Sequence, residues 1–151
     1  MTNATSFDDT PEPAPLELLF EQRFAARLEV LKKVRASVLA GARHCGFGEA
    51  DARDIVLALD EACKNILVHA YRNDEDGEIV LAVFRCQAGM VLLLRDFAPP
   101  MDPTGIKPRD LSDVRPGQLG THFIHSIMDS VEYEPAPDGQ GNLLRLMKRL
   151  E

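Results

Sequence analysis

The residues of this 151-residue chain with the plainest chemical potential are Glu61 and Asn65, in the run Ala58-Leu59-Asp60-Glu61-Ala62-Cys63-Lys64-Asn65-Ile66-Leu67. Their spacing is one helical turn, which puts a carboxylate and an amide on one face. There the carboxylate could act as a base and the amide oxygen could bind a hard cation such as Mg²⁺. The plain alternative is a solvated helix face. Asp96 comes next, after Val91-Leu92-Leu93-Leu94-Arg95, at the end of what reads as a buried strand. A carboxylate there is expensive unless paired, and it could accept a hydrogen bond from the exocyclic amine of a purine. It could equally be a strand-end Asp that turns the chain into a loop. Finally, Pro116-Gly117-Gln118-Leu119-Gly120 leads into Thr121-His122-Phe123-Ile124-His125-Ser126-Ile127-Met128. Glycines before a helix N-terminus let backbone N–H groups wrap a phosphate, though one such pair is a weak signal.

Other chemistries lack their residues. Neither a G-x-x-x-x-G-K-[ST] loop nor a G-x-G-x-x-G fingerprint occurs, and no Ser or Cys sits in a nucleophile elbow. Cys45, Cys63 and Cys86 are odd in number and never form C-x-x-C, which suits a reducing compartment and not a zinc site. His122 and His125 stand three apart, but nothing at a telling spacing completes a metal ligand set. Lys107, Arg109 and Arg115 either reach a phosphate or are solvated loop charges.

Composition sets the frame for these residues. Seventeen Lys and Arg against 24 Asp and Glu leave a net charge of -7, so direct nucleic-acid binding is not expected, nor is attraction to an anionic membrane. The apolar runs fall far short of the ~20 residues that span a bilayer. A cytoplasmic location is expected. The length suits one domain on the prior of roughly 100–200 residues each.

The elements that must position the candidates follow from periodicity. Residues 1–15 carry three prolines and little apolar content, which predicts a disordered tail before a domain over 16–151. A strand is expected over Leu16–Phe20, then a helix on Phe24, Leu28, Leu31, Val34 and Val38 up to Ala42, with Gly41 and Gly46 near its end. A second helix spans about Glu49–Tyr71 on the stripe Ile55, Leu59, Cys63, Ile66 and Ala70. Glu78–Cys86 and Met90–Asp96 read as a hairpin across Gln87-Ala88-Gly89. Ala98–Gly117, rich in proline, is a candidate lid. A helix over Gln118–Asp129 and strands over Val131–Tyr133 and Leu143–Leu150 complete an α+β two-layer sandwich. Its sheet is expected to be mixed but mostly antiparallel, with helices on one face.

In this order the three candidate groups resemble the ATP-binding domain of the GHKL ATPases (the Bergerat fold), and more closely the anti-sigma serine kinases of the RsbW type. The family's E-x-x-x-N is similar to Glu61…Asn65, continued by His69-Ala70-Tyr71, and its D-x-G-x-P-F-D-P to Asp96-Phe97-Ala98-Pro99-Pro100-Met101-Asp102-Pro103. Its glycine-lid motif is similar to Gly117-Gln118-Leu119-Gly120-Thr121-His122-Phe123-Ile124. The Met-Asp and Val-Glu-Tyr that follow the lid are similar to Met128-Asp129 and Val131-Glu132-Tyr133, and the G-N-x-L-x-L-x-K terminal strand to Gly141–Lys148.

The resemblance implies that Glu61 assists phosphoryl transfer and that Asn65 holds Mg²⁺ on the phosphates of ATP. It implies that Asp96, beside Ala98, binds adenine, and that Gly117, Leu119, Gly120 and Thr121 approach the phosphates. It further implies a STAS-domain anti-anti-sigma protein as phosphate acceptor, a sigma factor or other effector as sequestered client, and a homodimer. Two positions depart from the pattern. Ala98 stands where the family has glycine, and a left-handed backbone there would cost about 1 kcal/mol; Gln118 replaces a lid glycine. The competing reading is a catalytically weak or inactive sequestering module of the same fold. The ATPase domain of a sensor histidine kinase is disfavoured, since the short stretch before the first strand leaves no room for a phospho-accepting helix hairpin.

Overall fold

The computed structural model describes residues 16–99, 118–136 and 138–150. The expected tail and most of the expected lid, including Lys107, Arg109, Arg115 and Gly117, lie outside the described residues. In chain order the elements are β1 (Glu17–Ala25), a 3₁₀ turn (Leu28–Val30), α1 (Leu31–His44), α2 (Glu49–Asn65) and a π-helical turn (Ile66–Ala70). Then come β2 (Glu78–Cys86), β3 (Gly89–Asp96), α3 (Gln118–Ile127), β4 (Ser130–Pro135) and β5 (Asn142–Arg149).

The strands form one five-stranded sheet in the order β1-β2-β3-β5-β4. All four pairings are antiparallel; the parallel pairing that a mixed sheet would add is absent among the described strands. Cys86 pairs with Gly89 at the end of the β2–β3 hairpin, leaving Gln87-Ala88 as the tight connection.

Strand alternation divides the sheet into two faces. Ile79, Leu81 and Val83 of β2, Met90, Leu92 and Leu94 of β3, and Leu144 and Leu146 of β5 are buried on one face. They meet Leu31, Val34 and Val38 of α1, Ile55, Leu59 and Cys63 of α2, and Ile124 of α3 in one core. Gly41 lies within α1, not at its end, where a Cβ would come to 3.5 Å from Phe20 and Met90 and 3.7 Å from Val83, so the helix sits close on the sheet there. The expectation that placed Phe24 in the first helix is corrected. Phe24 belongs to β1, pairs with Ile79 and is buried, because the sheet's first strand runs on to Ala25. A Phe that suits a helical stripe by spacing suits an inward strand position equally, and cross-strand pairing decides between them.

The opposite face is more polar. Val80, Phe84, Leu93, Leu143 and Met147 alternate there with Arg23, Arg95 and Arg145, all short of full burial. No helix of the described residues is long and apolar enough to cross a membrane.

Candidate nucleotide site

The second helix carries the first pair of candidates. Glycine at the N-cap and Glu49 and Asp51 in the first turn complement the helix dipole. Apolar Ala52, Ile55, Leu59 and Cys63 turn one stripe inward, so Glu61 and Asn65 stand on the other flank, both partly exposed. The α-helix ends at Asn65 and passes into the π turn, with Tyr71 N–H donating to the Ile66 carbonyl at 2.9 Å. The wider turn ends the regular ladder directly after Asn65, and such π turns are frequent at functional sites. Asp60, beside Glu61, faces the other way: it is buried and paired with Arg35 at 2.9 Å and Lys64 at 3.0 Å. Thus the neighbouring acids differ: Asp60 joins α1 to α2, while Glu61 is partly exposed.

The end of β3 supplies the second group. Asp96 is on the helix-facing side of the sheet and only 4% exposed. Its Oδ1 accepts the Ala98 N–H at 3.0 Å and the Asn142 Nδ2–H at 2.9 Å. Its Oδ2 takes no hydrogen bond from a described residue. Burial pushes this carboxyl above its ordinary range, and the donors from Asn142 and Ala98 work against that shift. The site therefore holds a desolvated acceptor with one oxygen fixed and the other unclaimed.

Several contacts set this geometry. Asp96 and Asn142 are cross-strand partners, and Gly141, at φ +87, comes so close to Asp96 that a Cβ would stand 2.0 Å from its carbonyl oxygen. Only glycine fits there. Arg95 binds both oxygens of Asp138 at 2.7 and 2.6 Å and the Gln140 carbonyl at 3.2 Å, which ties the turn before Gly141 to β3. Two guanidiniums lie over the Phe97 ring, that of Arg95 4.7 Å and that of Arg23 5.6 Å from its centroid. Ala98 is buried, and the non-glycine residues with positive φ are Arg72 and Asn73, not Ala98. The alanine thus carries no left-handed strain where the family pattern has glycine.

The third group is placed by backbone alone. Leu119, Gly120 and Thr121 lie in the first turn of α3, which begins at Gln118. Gly117 is outside the described residues. α3 itself is fixed at its far end, where Lys148 Nζ donates to the Ile127 carbonyl and Asp129 accepts the Arg149 N–H. His122 and His125 are exposed on α3, and no group of three or more His, Cys, Asp or Glu suited to a metal occurs among the described residues. A lone amide oxygen such as that of Asn65 suits Mg²⁺ held chiefly by phosphates and water. In the sequence Asn142 stands out only as part of the terminal-strand motif. Its role was missed because an Asn at a strand start carries no local sign that a carboxylate 46 residues away sits opposite.

An antiparallel sheet covered by helices, with a buried acceptor at a strand end and a carboxylate–amide pair on the adjoining helix, defines a GHKL-type ATPase domain. Residues 24–148 match the histidine kinase-like ATPase domain family. The chain belongs to that family, among the RsbW-type serine-protein kinases. It is 30% identical over 141 residues to the serine-protein kinase RsbW of Halalkalibacterium halodurans, covering 87% of this chain and 83% of that protein. With the serine-protein kinase RsbW of Bacillus thuringiensis strain Al Hakam it shares 28% identity over 120 residues, 74% of each chain. Among solved structures, the RsbU and RsbW domains of a Mycobacterium tuberculosis protein share the fold, with a TM-score of 0.56 at 18% identity. That match covers 86% of this chain and 32% of the larger one.

Proposed function

We propose that the protein is a cytoplasmic anti-sigma serine/threonine protein kinase. In this reading it binds Mg-ATP, phosphorylates a STAS-domain anti-anti-sigma protein and sequesters a sigma factor or other effector. The observation that carries the reading is the Asp96 carboxylate, buried and oriented with one oxygen engaged and the other open. Such an acceptor pairs with the exocyclic amine of adenine and disfavours a carbonyl at that position, since two acceptors would meet. The names of the relatives, serine-protein kinases, support the reaction class.

Asn65 would hold Mg²⁺, whose charge offsets that of the phosphates during transfer. Glu61, one turn earlier and open to ligand, would orient the acceptor hydroxyl and take its proton. Gly117, Leu119, Gly120 and Thr121 would bring the start of α3 to the phosphates, where N–H groups and the helix dipole favour negative charge. The half-buried apolar side chains of the sheet's open face, Val80, Phe84, Leu93 and Met147, support a homodimer through that face.

Calorimetric titration with ATP, with and without Mg²⁺, tests the reading beside the D96N variant. Magnesium-dependent binding that D96N abolishes supports it; no binding up to millimolar ATP overturns it. Gln118, in place of a lid glycine, is the observation that favours the second reading, a sequestering module without catalysis. That reading predicts ATP and partner binding with no phosphate transferred to any STAS protein.

A further inference from the structure

Tyr71 caps the π turn, and its contacts reach the start of β2 and the residue after β3, next to Asp96. Its hydroxyl donates to the Glu78 carbonyl at the start of β2, at 2.6 Å, and accepts the Phe97 N–H at 2.7 Å. The ring lies flat against Gly77, where a Cβ would come 2.6 Å from its carbon atoms, so the phenol is held from the side as well as at its tip. Burial pushes the phenol's pKa up, which keeps the proton that the bond to Glu78 requires. Phe97 N belongs to the peptide joining Asp96 to Phe97. One face of that peptide is approached by Gly141, and its N–H is fixed by Tyr71.

We infer that Tyr71 is a positioning residue for base selectivity: its hydroxyl anchors the Asp96–Phe97 peptide and thereby aims the open oxygen of Asp96 at the exocyclic amine of the purine. The inference rests on the nucleotide reading above. Removing the hydroxyl leaves the Phe97 N–H without its acceptor, so the peptide, then held from one side by Gly141, can turn about the Asp96 Cα–C and Phe97 N–Cα bonds. Oδ1 keeps its donors, so the carboxylate stays in the pocket but loses its aim.

The test compares ATP with purine riboside triphosphate, which lacks the exocyclic amine, on wild type and Tyr71→Phe. A hydrogen bond to a charged acceptor is worth about 1.5–3 kcal/mol, so wild type should prefer ATP by roughly 10–100-fold. Tyr71→Phe should lose most of that ratio, with the affinity for purine riboside triphosphate little changed, and hydrogen exchange at the Phe97 amide should accelerate. A ratio that stays at the wild-type value in Tyr71→Phe, whether both affinities fall together or neither does, overturns the inference and leaves Tyr71 a purely structural residue. Wild type that binds neither nucleotide overturns the nucleotide reading itself, a result distinct from the first. The chain has two tyrosines, Tyr71 and Tyr133. Should Tyr71→Phe fail to fold, fluorotyrosine incorporated at Tyr71 in a Tyr133→Phe background weakens the acceptor without removing it. The same ratio should then fall by a smaller factor, and an unchanged ratio overturns the inference.

Discussion

Asn142 Nδ2 donates to Asp96 Oδ1 at 2.9 Å across the β3–β5 pairing, joining residues 46 positions apart in the chain. The bond does two things: it offsets part of the cost of burying the carboxylate, and it commits Oδ1, while Oδ2 takes no hydrogen bond from a described residue. Asn142→Ala should therefore weaken ATP binding by about 10-fold or more, the loss expected for a hydrogen bond to a charged group. Calorimetric titration checks this. A change within twofold would show that Asp96 is oriented without the Asn142 bond.

The buried carboxyl of Asp96 binds its proton more tightly in the fold than in the unfolded chain, because burial penalises the charged form. The protonated form's stabilisation is fully present below the ordinary value of 3.8 and is lost as pH rises through the raised folded value. At neutral pH the ionised carboxylate thus costs the empty protein stability. Asp96→Asn, which keeps an acceptor at Oδ1 for Ala98 and Asn142, should raise the melting temperature at pH 7. The gain should shrink as pH falls, while ATP binding is lost because an amide donor now faces the amine. Melting curves between pH 4 and pH 8, approximately the range in which carboxyl groups with raised values titrate, distinguish this from a pH-independent effect.

Gly141→Ala should destabilise the fold by about 2–4 kcal/mol, from overpacking against the Asp96 carbonyl together with a left-handed backbone at an alanine. Urea denaturation reads the change. A loss below about 0.5 kcal/mol, the usual range of an uneventful surface change, would mean that the β3–β5 strand ends separate easily.

Three neighbouring residues of α2 should separate stability from function. Asp60→Ala removes the shared partner of Arg35 and Lys64 and should cost about 1–2 kcal/mol, less than for a fully buried pair because both cations reach solvent. It should leave ATP affinity within about twofold, as expected for a residue that makes no ligand contact. Glu61→Gln should lower the phosphorylation rate about 10²–10⁴-fold with ATP binding retained, as for loss of a general base. Asn65→Ala should remove the magnesium dependence of binding. Denaturation, single-turnover phosphorylation and calorimetry give the three readouts, and a Glu61→Gln variant of full activity would remove that residue from the chemistry.

Much of the fold is legible in the residues themselves. The hairpin of β2 and β3 follows from two apolar runs and a short polar connection, and α2 from an unbroken stripe between Ile55 and Ile66. Helical spacing misassigned Phe24, since a single aromatic fits either period and only the Ile79 pairing places it in β1. The resemblance pointed to Asp96, Glu61 and Asn65, and its doubt about Ala98 came from a family glycine whose backbone this chain does not copy.

The sequence by itself determined the apolar periods, the excess of acids and the one-turn spacing of Glu61 and Asn65, because these depend on composition or on residues near one another in the chain, whereas the need for glycine at position 141 arises only from the Asp96 carbonyl across the sheet. Only the tertiary structure decided which carboxylate is supported and which is open. Asp60 is neutralised by Arg35 from another helix, while Asp96 is fixed through Asn142 from another strand and through Phe97 by the Tyr71 hydroxyl. Local propensity says nothing of such pairs, since burial and charge compensation arise only once distant segments pack together.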